Sequence, residues 1–224
     1  MTVHYIGDST VQVNNIYTYP QTGMGQTLGL YLREDVQVVS YAKNGRSTKS
    51  FLDEGRFAPV KAAMQPGDFL LVQFGHNDEK EDPLRHTDPF GSFQENLRLF
   101  IAAARERGAH PVLLTPIARR LFDEQGNFRP GSHGVYPEAV RQVGREENVP
   151  VIDLTTETEA FLAFLGDEPS KALFVWPKDN THLKYEGAVK MCSFVAQGLE
   201  NLGGQYAALL ARPENADTQA KNGL

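Results

Sequence analysis

Five short apolar runs, separated by stretches of helical character, constrain this chain more than any other feature. They are Val3-His4-Tyr5-Ile6 and residues 36–41, 69–74, 111–115 and 149–153, several of them rich in valine and isoleucine. Between or after them, residues 57–64, 136–147, 155–165 and 181–202 suit helices. The strongest case is 93–104, where Phe93, Leu97, Phe100, Ile101 and Ala104 recur at helical spacing before a capping Gly108. A shorter helix is expected over 28–32. Strand and helix in alternation predict a parallel sheet with helices on both faces, an α/β architecture. Loops are expected where turn residues cluster, at 14–23, at the charged stretch 79–92 and at 116–134. A loop as long as the last is usually functional or mobile.

The chain has 224 residues, 41% of them hydrophobic, enough for a substantial core. One domain over 1–212 is expected, followed by a small, polar, frayed tail at 213–224. The formal charge of −6 is spread along the sequence with no Lys/Arg block, which argues against a nucleic-acid partner. Cys192 is the sole cysteine, which excludes an intrachain disulfide and a cysteine metal cluster. No apolar run approaches the roughly 20 residues of a membrane span. The N-terminus lacks a charged segment followed by an apolar one, so a cytoplasmic home is expected unless a leader has been removed. Oligomeric state is not legible.

Four stretches carry chemistry. Gly7-Asp8-Ser9-Thr10 follows the first strand, Asn44-Gly45 the second and Gly75-His76-Asn77-Asp78 the third; Asp179-Asn180-Thr181-His182 precedes the last helix. Parallel strands share one carboxyl edge, where open α/β sheets bind ligands, so the first three stretches meet there. Serine is a weak nucleophile without a base, and the base needs a partner that fixes its tautomer. Asp179 and His182 can supply both to Ser9. Attack on an ester also develops an oxyanion, for which Gly45 and Asn77 can supply donors. Each stretch has a plainer alternative. Asp179 can cap the helix with His182 at the surface, Asn44-Gly45 can be a tight turn, and Gly75 to Asp78 can be a strand-ending turn. His76 is expected to position the loop by hydrogen bonding.

These four stretches, in this order, resemble the blocks of the SGNH (GDSL-type) hydrolases. The resemblance implies Ser9 as nucleophile, His182 as base and Asp179 as its orienting acid. It implies an oxyanion hole from the N–H groups of Ser9 and Gly45 with the Asn77 side chain. It also implies a flavodoxin-like three-layer α/β/α fold on a five-stranded parallel sheet. Thr10, Gly45-Arg46-Ser47 and Phe74 to Asp78 are similar to the rhamnogalacturonan acetylesterase subgroup. That likeness implies removal of acetyl groups from pectic oligosaccharide or polysaccharide, with no metal or organic cofactor. Trp176 can offer a face to a sugar ring, and Arg46, Arg119, Arg120 and His133 can pair with uronate carboxylates; core packing and a solvated cationic surface are the alternatives.

Three other readings stay open: an acetylesterase for xylan or other oligosaccharides, a lipase or thioesterase, and a carbohydrate-binding protein without turnover. The polar loops near Ser9 argue against the lipase, and the full set of site residues against the last. Gly-x-Ser-x-Gly, phosphate-loop and His-Glu-x-x-His motifs are absent.

Overall fold

The five apolar runs become β1 (Thr2–Gly7), β2 (Gln37–Ser40), β3 (Phe69–Gln73), β4 (His110–Leu114) and β5 (Val151–Ile152). They form one all-parallel sheet in the order β2-β1-β3-β4-β5. From β1 the chain crosses outward to β2, then back past β1 to β3. The connections therefore diverge between β1 and β3, and this switch point opens a crevice at their carboxyl ends. The computed structural model describes residues 1–211, so the tail expected over 213–224 lies outside the described residues.

Alternation along the strands feeds two cores. Val3 and Tyr5 of β1, Leu71 of β3 and Leu114 of β4 pack on one face with helices α5 (Leu154–Leu165) and α7 (Tyr185–Leu202). Ile6, Leu70, Val72 and Leu113 pack on the other against α2 (Phe57–Ala63), α3 (Ser92–Glu106) and α4 (Tyr136–Glu146). Both faces of the central strands are covered, which is why these strands read as continuous apolar runs rather than alternating ones. Among the described residues no helix is long and apolar enough to cross a membrane.

Several local expectations are corrected. Residues 28–32 form a 3-10 turn (Leu28–Tyr31), and another (Ile16–Thr18) interrupts the expected loop at 14–23. A further helix not expected from the sequence, α1 (Thr48–Asp53), starts with a reciprocal cap: the Ser47 hydroxyl accepts from the Ser50 N–H, and the Ser50 hydroxyl from the Ser47 N–H. The single turns α6 (Asp167–Ser170) and α8 (Gly204–Ala207) are likewise additional. The fifth strand is two residues long because Asp153 turns away to cap α5, accepting from the Thr156 N–H. The last helix begins at Tyr185, not at residue 181. Leu183 pairs with Phe174 in an antiparallel bridge, and that extended pairing holds His182 and Leu183 out of the helix.

Candidate active site

Ser9 sits two residues past the end of β1, in a turn that Asp8 organises. The Asp8 carbonyl accepts the N–H groups of Val11 and Gln12, and its Oδ1 accepts both the N–H and the hydroxyl of Thr10 at 2.9 Å. Thr10 Oγ1 also accepts from Gln73 Nε2 at 3.3 Å, and the Gln73 amide oxygen accepts the Tyr5 hydroxyl. This buried chain of polar groups floors the serine turn. It gives a reason for threonine after Ser9, since an apolar side chain would take one of two hydrogen bonds from Asp8 Oδ1 and leave Gln73 Nε2 with only the weak acceptor Met24 Sδ. Gln73 and Tyr5 escaped the sequence reading, although a glutamine in an otherwise apolar central strand is a signal that it has a partner.

His182 and Asp179 arrive on a hairpin-like crossing. The Val175 N–H donates to the His182 carbonyl (2.8 Å) and the Lys184 N–H to the Leu173 carbonyl (2.9 Å). The loop between closes on itself, with Asp179 Oδ1 accepting the N–H groups of Thr181 (2.9 Å) and His182 (2.7 Å). The hairpin packs directly on α7: a Cβ added to Gly187 would lie 2.0 Å from the Leu173 carbonyl oxygen, so only glycine permits this approach. His182 Nδ1 and Asp179 Oδ2 are 2.9 Å apart, and His182 Nε2 and Ser9 Oγ are also 2.9 Å apart. With Nδ1 donating to the carboxylate, Nε2 is left to accept from the serine hydroxyl. Burial pushes the Asp179 carboxyl up, but hydrogen bonds from the His182 backbone, the His182 ring and the Thr181 backbone outweigh it, and the carboxyl stays below its usual range.

Gly45 and Asn77 line the same cleft of about 470 Å³ as Ser9, Asp179 and His182. Gly45 adopts φ +77°, a left-handed conformation that disfavours other residues. Neither the Ser9 nor the Gly45 N–H donates to an acceptor among the described residues. The Asn77 amide is held from both ends, Nδ2 donating to the Arg46 carbonyl (3.1 Å) and Oδ1 accepting from Arg85 Nη1 (3.4 Å). The second Nδ2 hydrogen has no acceptor among the described residues. The remaining lining comes from Gln21, Asn44, His76, Lys80, Arg85, Arg119 and Thr181. It contains no aliphatic residue and no carboxylate besides Asp179.

The residues proposed to touch a sugar fare differently. His133 is not available: its side chain is fully buried, with Nδ1 on Glu79 Oε2 (2.9 Å) and Nε2 on the Ile117 carbonyl (2.8 Å). Arg120 is equally enclosed, tied to Ser170 and Asp167. Arg119 reaches the cleft but pairs with Glu79. Arg46 pairs with Glu54 and borders a separate depression of about 300 Å³ that shares Gly45 and Arg85 with the cleft. Trp176 is 41% exposed, with Arg120 at 4.6 Å from its ring centroid, and is not part of the cleft wall. His76 positions its loop by packing rather than hydrogen bonding. Its ring stands edge-on to His133, 4.4 Å between centroids, and neither of its nitrogens has a hydrogen-bond partner among the described residues. Burial first, then His133 and Arg119, press its pKa well below the usual histidine range, so the ring is neutral. Residues 79–92, expected as a solvated surface loop, give Lys80 and Arg85 to the cleft.

The model of the GDSL-like lipase/acylhydrolase family matches residues 5–189. This chain belongs to that family. Members of the GDSL-like lipase/acylhydrolase family hydrolyse carboxylic esters, and this chain is an ester hydrolase of that kind. It is 42% identical over 213 residues to rhamnogalacturonan acetylesterase RhgT of Bacillus subtilis, covering 90% of each chain. It is 41% identical over 205 residues to the probable rhamnogalacturonan acetylesterase YesY of the same organism, covering 90% of this chain and 93% of that one. The crystal structure of YxiM from Bacillus subtilis superposes with a TM-score of 0.80 at 26% identity, over 90% of this chain and 56% of that one. An acetyl xylan esterase, AlAXEase, shares the fold with a TM-score of 0.65 at 18% identity, over 88% and 98%.

Proposed function

We propose that this protein removes O-acetyl groups from pectic carbohydrate, rhamnogalacturonan or its oligosaccharides, through an acetyl-enzyme on Ser9. The Ser9 hydroxyl attacks the acetyl carbonyl carbon and passes its proton to His182 Nε2. Asp179 keeps His182 in the tautomer that can accept that proton and supports the imidazolium. The oxyanion takes hydrogen bonds from the Ser9 and Gly45 N–H groups and from Asn77 Nδ2. Collapse of the tetrahedral adduct expels the sugar alkoxide, which takes the proton from His182. Water, deprotonated by the same imidazole, then attacks the acetyl-enzyme and releases acetate and free Ser9.

The observation that carries this reading is the unbroken relay from Asp179 through His182 to Ser9, both links 2.9 Å, at the wall of a polar cleft. The cleft wall favours a short acyl group in a hydroxyl-rich substrate over a fatty acyl chain, which needs apolar contact. The relatives at 42% and 41% identity direct the choice among carbohydrates to rhamnogalacturonan. Acetate release from acetylated pectic, xylan and mannan oligosaccharides tests the reading. The pectic substrate is expected to give the highest kcat/KM, and a clear preference for xylan or mannan overturns it. Imported oligosaccharides in a cytoplasmic setting are part of the same proposal, tested by where the activity partitions between cells and medium.

A further inference from the structure

The cleft is cationic in an acidic protein. Acidic residues outnumber Lys and Arg by 28 to 22, yet Lys80, Arg85 and Arg119 gather on the wall that holds Ser9 and His182. Both cleft arginines are already engaged. Arg85 donates Nε to Asp82 (2.7 Å) and Nη1 to Asn77; Arg119 donates to Glu79 and to the His76 carbonyl. They hold the turns that carry the site, and their guanidinium forks are largely spent on that.

Lys80 differs. Among the described residues its Nζ makes no hydrogen bond and no ion pair within 4 Å of a carboxylate. Its backbone, by contrast, is fixed. The Lys80 N–H donates to the Asn77 carbonyl (3.3 Å), and the Lys80 carbonyl faces His86 Nδ1 at 3.1 Å. One turn thus carries both Asn77 and Lys80 to the lining of the cleft that holds Ser9. Lys80 is exposed, and partial desolvation, then the neighbouring Arg85 and Arg119, presses the ammonium pKa below the usual lysine range against the weaker pull of Glu79 and Asp8. An unmatched positive charge on a rigid turn is where an anionic ligand gains the most from binding.

We infer that Lys80 is the residue of this cleft that recognises a carboxylate, taking the uronate group of the substrate while the acetyl ester lies at Ser9. The inference rests on the pectic reading above, since rhamnogalacturonan carries its carboxylates on galacturonate rings. It replaces Arg46, Arg120 and His133, whose charges or ring nitrogens are committed elsewhere.

The test compares kcat and KM of wild type, Lys80→Gln and Lys80→Arg on acetylated galacturonate-containing oligosaccharide and on acetylated xylo-oligosaccharide, which is neutral. For Lys80→Gln the ratio of kcat/KM, charged over neutral substrate, is expected to fall about tenfold through KM, the scale of one charge-assisted hydrogen bond. Lys80→Arg is expected to restore most of the ratio. Raising ionic strength should lower the ratio for wild type and leave that of Lys80→Gln nearly flat. A wild type that favours the charged substrate, with Lys80→Gln keeping that preference, overturns the role of Lys80 and leaves the pectic reading standing. A wild type with no such preference removes the pectic reading, and Lys80's role with it.

Discussion

Gly187 offers the sharpest probe of how the base is aimed, because it touches none of the reacting groups. In Gly187→Ala the new methyl would lie 2.0 Å from the Leu173 carbonyl oxygen and 2.9 Å from its carbon, against the 3.4 Å of ordinary contact. Helix backbone on one side and hairpin backbone on the other leave no flexible end to give way, so Leu173 must retreat by about 1.4 Å. The Leu173 carbonyl accepts the Lys184 N–H, and the next pairings along are Phe174 with Leu183 and Val175 with His182. The displacement therefore travels directly into the residue that bonds Ser9 at 2.9 Å. A misplacement of about 1 Å in a catalytic array costs about a hundredfold in rate, and overpacking of this kind about 1–3 kcal/mol of stability. The control is Gly198→Ala, further along α7, whose methyl would meet the Ile152 side chain at 2.5 Å. It should lower stability by a comparable amount while leaving kcat near wild type. Both variants are followed by thermal melting and by turnover of an aryl acetate. Equal stability loss with a large fall in kcat only for Gly187→Ala is the expected outcome. Wild-type kcat for a folded Gly187→Ala would refute the idea that this close contact aims His182.

Other substitutions separate the remaining contributions. His182→Ala should lower kcat by about 10⁶ and Asp179→Asn by about 10⁴, because the amide misorients a base that is still present. Asn77→Ala should lower kcat by about 10²–10³ by removing one oxyanion donor, with a smaller change in KM. Asp78, fully buried and bonded to Thr48 and Thr87, has its carboxyl pushed up to about 7 by burial. The native state then keeps this proton between about pH 4 and 7 while the unfolded chain has lost it, so the group makes stability fall as pH rises through that window. Asp78→Asn should flatten the curve by as much as about 4 kcal/mol across it, read by urea unfolding at several pH values. Buried neutral His76 acts in the opposite direction near pH 6, so the difference between wild type and Asp78→Asn is the measured quantity.

The sheet was legible because both cores need apolar strand residues, and that requirement is written into the order of residues from Val3 to Ile152. The serine, histidine and carboxylate were legible because their chemistry restricts residue type and because parallel strands share one edge. What escaped was set by tertiary partners. The α7 start shifted because Leu183 finds Phe174 across the hairpin, a pairing invisible in local spacing. His133 looked free because nothing nearby in sequence reveals that Glu79 and Ile117 meet both its nitrogens. Lys80 looked like ordinary surface charge for the same reason: only the fold shows that Glu79 pairs with Arg119 and Asp82 with Arg85.

Ser9 is expected to become acetylated during turnover, with His182 and Asp179 making this possible. Rapid quench of wild type with an aryl acetate, followed by intact and peptide mass spectrometry, tests it directly. One acetyl group should appear on the peptide carrying Ser9 and decay at the turnover rate, while a folded Ser9→Ala protein gains none and releases no acetate. Acetate released by Ser9→Ala at the wild-type rate, or an acetyl group that resides on another side chain during turnover, would rule out Ser9 as the nucleophile.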